Sequence, residues 1–321
     1  MGKLHISSTP HIHQKGSSTR NIMLDVVIAM IPAAAAGVII FGLQALWVIL
    51  TCVASAVVAE FLFNLCCRRK QTVGDFSAVV TGLLLGLNLS INVPLWQCVV
   101  GSVFAIMVVK CFFGGLGKNI VNPAIAARVF MLLAFASTVG GNVATNPLFD
   151  LPADIEIVAG ATPLASLNEG VEVAKSAPTL LQLFIGAHGG TIGETCAAAL
   201  LLGYVYLVAR KVIKWYVPAA FVATVFACYF LFGNFNATFA LQHVLAGGLL
   251  LGAIFMATDY VTTPTTNCGR VVFCVGAGLL TFAIRQFGGY PEGVSIAILS
   301  MNLLTPFISD FTKKRTLGGI K

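Results

Sequence analysis

Long apolar runs constrain the fold of this chain more than any other feature. Each covers about twenty residues, the length that a helix needs to cross a bilayer, and short polar segments separate them. Hydrophobic residues make up 58% of the 321 positions and charged residues only 10%, whereas a soluble domain carries roughly 25% charged residues. The chain has too few charged residues to cover a water-facing surface, so we predict an all-α integral membrane protein.

The apolar runs place about ten membrane spans along the chain. They lie at residues 22–43, 45–66, 73–91, 94–113, 119–138, 178–209, 216–233, 238–258, 271–287 and 292–310. Basic residues cluster between the spans on one side, as the positive-inside rule requires of cytoplasmic segments. These clusters are Arg68-Arg69-Lys70, Lys118, Arg210-Lys211-Lys214, Arg270 and Lys313-Lys314-Arg315. The net charge of +7 is therefore explained by basic residues that set the membrane topology, and we expect no nucleic acid partner.

The same rule gives the domain organisation. Residues 1–21 are polar and basic without an apolar core, which predicts a cytoplasmic tail and no secretory signal. A first five-helix repeat follows at 22–138, a second at 178–310, and a cytoplasmic tail at 311–321. The intervening segment 139–177 carries one lysine against five acidic residues, so we predict an extracytoplasmic loop. Both termini are then expected in the cytoplasm.

Short internal matches indicate that the two halves are related. VTGLLLGL at 80–87 is similar to AGGLLLGAIF at 246–255, and NIVNP at 119–123 is similar to NLLTP at 302–306. Because five spans per half is an odd number, related halves would have opposite orientations in the membrane, which is an inverted repeat. Chance similarity between Leu-rich spans is the alternative explanation.

The sixth span contains a Gly-rich break. TLLQLFIG at 179–186 is too short to cross the membrane, and AHGGTIGET at 187–195 follows it. Irregular backbone at membrane depth is tolerated where it is buried in protein or lines a cavity. We therefore predict a broken helix with free N–H groups near Gly190, Gly193 and Glu194, which would favour an anionic group such as phosphate. A packing site of small residues between helices is the alternative.

Charged residues within the spans are few. Glu60 could snorkel to the membrane surface or line an ion route, while Lys110 and Arg285, near span ends, are expected to snorkel. Acidic residues at cytoplasmic span ends could gather cations or be ordinary solvated groups. They are Asp25, Asp75, Asp259 and Asp310.

Several familiar sites are excluded. A phosphate-binding P-loop ending at Gly117-Lys118 would need a glycine where Phe112 stands. No G-x-G-x-x-G follows a strand pattern, so nothing indicates a nicotinamide nucleotide site. The nine cysteines lack a C-x-x-C spacing, and we predict no metal site.

Longer stretches carry a family resemblance. They are STPHIHQKGSSTRNIMLDVVIAMIPA, GGLGKNIVNPAIAARVFMLLAF, GTIGET, FMATDYVTTP and RQFGGYPEGVSIAILSMNLLTPFISD. They resemble the family that contains the D subunit of the Rnf complex, an ion-motive ferredoxin:NAD oxidoreductase, and the B subunit of the sodium-pumping NADH:quinone reductase. The resemblance runs over nearly the whole chain. It implies a ten-helix inverted-repeat fold similar to that of urea transporters.

The resemblance also implies a covalent flavin. Family members carry FMN linked through its phosphate to a threonine in a motif resembling Asp-x-x-Ser-Gly-Ala-Thr, installed outside the cytoplasm by a flavin transferase. Glu156 takes the place of the acid and Ala159 that of the serine, followed by Gly160, Ala161 and the acceptor Thr162. Without the resemblance, the stretch Gly160 to Pro163 would be interpreted as a simple turn.

The function implied by the resemblance is that of a flavin-carrying membrane subunit in a redox-driven cation-translocating complex. Its partners would be the other subunits of the complex and a sodium ion or proton, in the cytoplasmic membrane of a bacterium or archaeon. A second, non-covalent riboflavin is also implied, without assigned ligands. The alternatives are a solute channel or transporter with the same inverted-repeat fold, a structural scaffold for other redox subunits, and the quinone-reductase homologue.

Overall fold

The computed structural model describes residues 18–139, 164, 167, 178–186, 188–288 and 293–313. Its main helices are α1 (Thr19–Phe41), α2 (Leu43–Cys66), α3 (Ser77–Leu87), α4 (Leu95–Val103), α5 (Pro123–Ala134), α6 (Ala136–Val139), α7 (Leu180–Ile185), α8 (Ala197–Ala209), α9 (Tyr216–Phe232), α10 (Ala237–Leu245), α11 (Leu249–Leu251), α12 (Asn267–Phe287) and α13 (Val294–Phe311). Helix α4 continues as a π-helix over Phe104–Cys111, and α11 continues as a π-helix over Gly252–Met256. A short 3₁₀ helix, Val73–Asp75, precedes α3.

The all-α class is confirmed. Helices α1, α2, α12 and α13 are each long and apolar enough to cross a membrane, and α10 with α11 and its π-helix forms a fifth candidate span that is bent by 67°. The other apolar helices of the described residues are shorter, between 10 and 17 residues. These lengths support a multi-pass membrane protein, whereas ten spans in two inverted repeats remain a prediction.

The predicted break in the sixth span is present, because α7 ends at Ile185 and α8 begins only at Ala197. A second break, not predicted, separates α10 from α11 at residues 246–248. Gly247 adopts a φ of +72° there, a left-handed conformation that glycine accepts without steric penalty. Helix α3 also stops within the protein, at Leu87. Three helix ends are thus available to meet inside the bundle.

Helices approach each other closely both between the two halves and within the first half. A Cβ atom on Gly203 of α8 would lie 2.3 Å from the Ala29 carbonyl oxygen of α1. A Cβ atom on Gly82 of α3 would lie 2.7 Å from the Cys52 carbonyl oxygen of α2. Small residues allow such contacts where no hydrophobic effect drives helices together, as in a bilayer.

Candidate functional site

A pocket lies between the two halves at the end of the bundle that the positive-inside rule assigns to the cytoplasm. Its empty space of about 750 Å³ includes volume that is open to solvent, so the pocket is a partly open cleft. Its polar lining residues are Ser77, Thr81, Lys110, Asn119, Asn122, Thr258, Asp259 and Tyr260. Its apolar walls include Leu84 and Leu207. We call this cavity the end pocket.

Two π-helical segments shape the end pocket. The segment Phe104–Cys111 brings Lys110 to the pocket wall, and the segment Gly252–Met256 brings Phe255. A π-helix changes the direction of the side chains that follow it, and such segments occur frequently at functional sites. After Met256 the chain leaves the helix, so that Thr258 to Val261 also line the cavity.

Asp259 contributes a carboxylate to the pocket wall. It accepts hydrogen bonds of 3.1 Å from the Val261 N–H and 3.1 Å from the Thr262 hydroxyl. Burial nevertheless raises the pKa of Asp259 above its ordinary value, because a charge is less stable away from water. Burial also raises the pKa of the neighbouring Tyr260 phenol, with further contributions from the Asp259 and Asp75 carboxylates.

Two asparagines of the NIVNP motif provide amide groups. The Asn122 side chain caps α5, accepting from the Ala124 N–H at 3.0 Å. Asn302 of the matching motif in α13, with its amide oxygen towards α5, accepts from the Asn122 N–H at 3.2 Å. Among the described residues, the buried Asn119 Oδ1 atom finds no hydrogen-bond partner, so it is an acceptor available to a polar ligand.

Lys110 and Arg285 are both buried, so the expectation that they snorkel is wrong. Each is 1% exposed. The Lys110 Nζ atom donates to Glu60 Oε1 at 2.9 Å and to Ser77 Oγ at 2.6 Å. Arg285 donates to the His243 carbonyl oxygen at 2.7 Å and the Ala246 carbonyl oxygen at 3.3 Å. Internal partners therefore replace the membrane surface for both cations.

Four N–H groups of the Gly-rich break, those of Thr191 to Glu194, already have partners, so these four are not free as was expected. The Thr191 N–H donates to Glu194 Oε1 at 3.0 Å. The Ile192 N–H donates to the Leu89 carbonyl oxygen at 3.0 Å, and the Gly193 N–H to the Leu87 carbonyl oxygen at 2.8 Å. The N–H groups of Ile192 and Gly193 thus pair with carbonyl groups at the end of α3 and just beyond it, which have no partner within that helix. Helix α8 begins only three residues after Glu194.

Buried polar groups from several elements meet at this point, which we call the break junction: Asn88, Arg128, Glu194 and Gly248. Arg128 of α5 donates to Asn88 Oδ1 just beyond α3. A Cβ atom on Gly248 would lie 3.4 Å from Glu194 Oε2 and 3.6 Å from Arg128 Nη1. Ionisable groups within a membrane are costly and are usually held inside the bundle, and both Arg128 and Glu194 are buried here.

The remaining predicted site residues are Gly160, Ala161 and Thr162, which lie outside the described residues. Leu164, two residues after Thr162, is described and fully buried. It forms a cluster with Leu167, Leu183 and Ala246. Leu164 also lies beside Gly247, with its Cδ2 atom 3.3 Å from the position of a Cβ there. In the described part of the chain, no three His, Cys, Asp or Glu side chains are grouped to hold a metal ion.

Comparison with known proteins identifies the family. The model of the NQR2, RnfD, RnfE family matches residues 5–318. The chain is 45% identical over 320 residues, 99% of its own length and 96% of the relative's, to the D subunit of a Na(+)-translocating ferredoxin:NAD(+) oxidoreductase complex of Acetobacterium woodii. It is 39% identical, with 98% and 96% coverage, to the D subunit of a proton-translocating ferredoxin:NAD(+) oxidoreductase complex of Clostridium ljungdahlii. The chain therefore belongs to the NQR2, RnfD, RnfE family.

Proposed function

We propose that this chain is the flavin-carrying membrane subunit of a redox-driven, cation-translocating complex that couples electron transfer between ferredoxin and NAD. The observation that carries this proposal is the near full-length similarity to relatives named as the D subunit of such complexes. The other subunits of the complex would be its partners, in the cytoplasmic membrane of a prokaryote. The isolated chain would be catalytically incomplete.

The ten-helix inverted repeat belongs to this proposal. The two NxxxP motifs, predicted to be equivalent, contact each other through Asn122 and Asn302, as equivalent elements beside a twofold axis would. The end pocket draws its lining from both halves. A ligand site between repeats is a common feature of inverted-repeat membrane proteins. Gly190, Gly193 and Glu194 then contribute to the repeat interface.

Thr162 is the proposed acceptor for covalent FMN, flanked by Gly160 and Ala161, whose small side chains leave room for a flavin transferase. The burial of Leu164 supports this position, since the chain is packed against the core two residues after the acceptor. When bound, the flavin would accept and pass on electrons. The chain's own contribution is to tether it and to hold it near carriers of other subunits.

The end pocket is the place that we propose for a second, non-covalent flavin of the riboflavin type. Its apolar walls and its polar groups suit a flat aromatic ligand with several carbonyl and N–H groups. The unpartnered Asn119 Oδ1 is an acceptor for a ligand N–H. Lys110 and Asn122 add further polar contacts on the same wall.

The transported cation is sodium or a proton. Relatives at 45% and 39% identity are named for different ions, so overall similarity does not select between them. Replacing Asp259, the pocket carboxylate, by asparagine and measuring ²²Na⁺ uptake and acidification in liposomes would show which ion depends on this chain.

The covalent flavin is tested by mass spectrometry of the chain produced together with a flavin transferase. We expect Thr162→Val to abolish both in-gel flavin fluorescence and the added mass of FMN. The matched control is Thr145→Val, which changes another threonine of the predicted loop 139–177 and should leave both signals intact. Flavin retained on the Thr162→Val chain would refute the attachment site. Absence of flavin from the wild-type chain would favour the scaffold or transporter functions.

A further inference from the structure

A hydrogen-bonded chain connects water with the end pocket. The Thr72 side chain is exposed in the segment between α2 and α3. Its hydroxyl donates to Glu60 Oε1 at 2.6 Å. The same oxygen accepts from Lys110 Nζ at 2.9 Å, and Lys110 lines the end pocket. Each separation lies within the range of a good hydrogen bond.

The two charged groups of this chain are fully enclosed. Glu60 and Lys110 are each 1% exposed, and Glu60 Oε2 has no hydrogen-bond partner in the described part of the chain. Burying an ion pair is expensive, and replacing it with apolar residues is often neutral or stabilising. Stability alone therefore does not explain why a carboxylate and an ammonium group lie behind the wall of a pocket.

We propose that Thr72, Glu60 and Lys110 form a relay that delivers protons from the cytoplasmic side to a ligand being reduced in the end pocket. This inference rests on the proposed function, which supplies the electrons and a flavin-type acceptor. We call these three residues the relay.

Each transfer in the relay balances. The ligand gains electrons from the electron transfer of the complex, and a Lys110 N–H bond breaks as an N–H or O–H bond forms on the ligand. In one concerted step, a hydronium ion of the solvent gives a proton to the Thr72 oxygen while the Thr72 hydroxyl proton moves to Glu60 Oε1. Glu60 then passes a proton to the neutral Lys110 amine. The relay returns to its starting state, and one proton has moved from water to the ligand.

Neighbouring charges face the relay from every side. Asp75 accepts from the Ser77 N–H at 2.8 Å, next to the Ser77 hydroxyl that Lys110 contacts. Arg69 donates to the Cys111 carbonyl oxygen at 3.3 Å, one residue beyond Lys110. Asp259 and Tyr260 face the pocket from the second half. None of these groups is required to transfer a proton in the relay.

The test uses the purified complete complex in stopped-flow experiments. A pH-indicator dye follows proton uptake while absorbance follows flavin reduction, in H₂O and D₂O. General acids contribute on the order of 10²- to 10⁴-fold to a rate, so we expect Glu60→Gln to slow proton uptake by about 10²-fold. Glu60→Gln keeps an oxygen acceptor for Thr72 and Lys110 but cannot take up and pass on a proton as a carboxylate does.

A second pair of variants keeps the test independent of folding. Thr72→Val removes the hydroxyl at the entry of the relay, which also accepts from Asn64 Nδ2 at 3.0 Å, and should slow uptake on the order of tenfold. Thr72→Ser restores the hydroxyl and should restore the rate. Unchanged uptake and an unchanged isotope effect in both Glu60→Gln and Thr72→Val, with full riboflavin content, would overturn the relay. A wild-type complex without extractable riboflavin would instead contradict the proposed function, and the relay with it.

Discussion

The end pocket and the break junction both bury charged side chains, but they differ in how those charges are connected. In the wall of the end pocket, the Glu60–Lys110 ion pair borders a cavity on one side and reaches exposed Thr72 on the other. At the break junction, the Glu194 carboxylate accepts a hydrogen bond from the N–H of Thr191, three residues earlier in the same segment. The comparison indicates that the first set of charges serves transfer, whereas the second holds interrupted helices together.

The largest expected effect comes from breaking the buried ion pair. Lys110→Met leaves the Glu60 carboxylate buried without its cation, and removing one partner of such a pair typically costs about 3–5 kcal/mol. We expect a large fall in the midpoint of thermal unfolding in detergent, with partial recovery in the Lys110→Met, Glu60→Gln double variant.

The matched control for that variant is Lys313→Met. It breaks the Asp310–Lys313 pair, whose side chains are both 71% exposed, and exposed pairs contribute little. Equal thermal shifts in Lys110→Met and Lys313→Met would show that the buried pair is energetically ordinary.

A smaller effect is expected at the break junction. A Cβ atom on Gly193 would lie 2.6 Å from the Leu87 Cβ atom, so Gly193→Ala must displace backbone that is held by two hydrogen bonds. Overpacking of this kind costs about 1–3 kcal/mol. Gly74→Ala is the control, since no atom of the described residues lies within 4 Å of a Cβ there. If the junction is structural, Gly193→Ala will lower thermal stability and leave the isotope effect on flavin reduction unchanged.

The smallest effect is expected where the halves meet at the surface. Asp25 of α1 accepts from Tyr206 at 3.0 Å and from Arg210 Nε at 3.2 Å, and the hydrogen bond to the Asp25 carboxylate raises the pKa of Arg210. The Arg210 side chain is 56% exposed, so salt screens the pair. Asp25→Asn should lower the unfolding midpoint slightly at low salt and not at high salt. If Asp25→Asn lowered the unfolding midpoint as much as Lys110→Met does, the expected order of effects would be contradicted.

The sequence predicted the all-α class and the break in the sixth span because both follow from local composition. Apolar runs of about twenty residues and the Gly-rich stretch 187–195 carry those signals without tertiary information. The lengths of several helices were not predicted correctly, because α3, α5 and α8 are shorter than the apolar runs that contain them.

The end pocket was not predicted, because its residues come together only in three dimensions. Lys110 was predicted to lie at the membrane surface because it is near the end of a span. In the structure its Nζ atom donates a hydrogen bond inside the bundle to Glu60, which is 50 positions away in sequence. The paired motifs around Asn122 and Asn302 were the one usable signal. The two motifs were interpreted as a sign of an internal repeat. Their positions in the sequence did not predict that Asn122 and Asn302 contact each other.

Flavin content after filling the end pocket tests the central claim most directly. Leu84→Trp places an indole into the pocket wall, whereas Leu202→Trp adds the same side chain at a position that is 65% exposed. Extraction of the purified complexes should yield equimolar riboflavin from wild type and Leu202→Trp and little from Leu84→Trp, with covalent FMN unchanged in all three as the measure of folding. Full riboflavin content in Leu84→Trp would show that the flavin binds elsewhere and contradict the assignment of the end pocket.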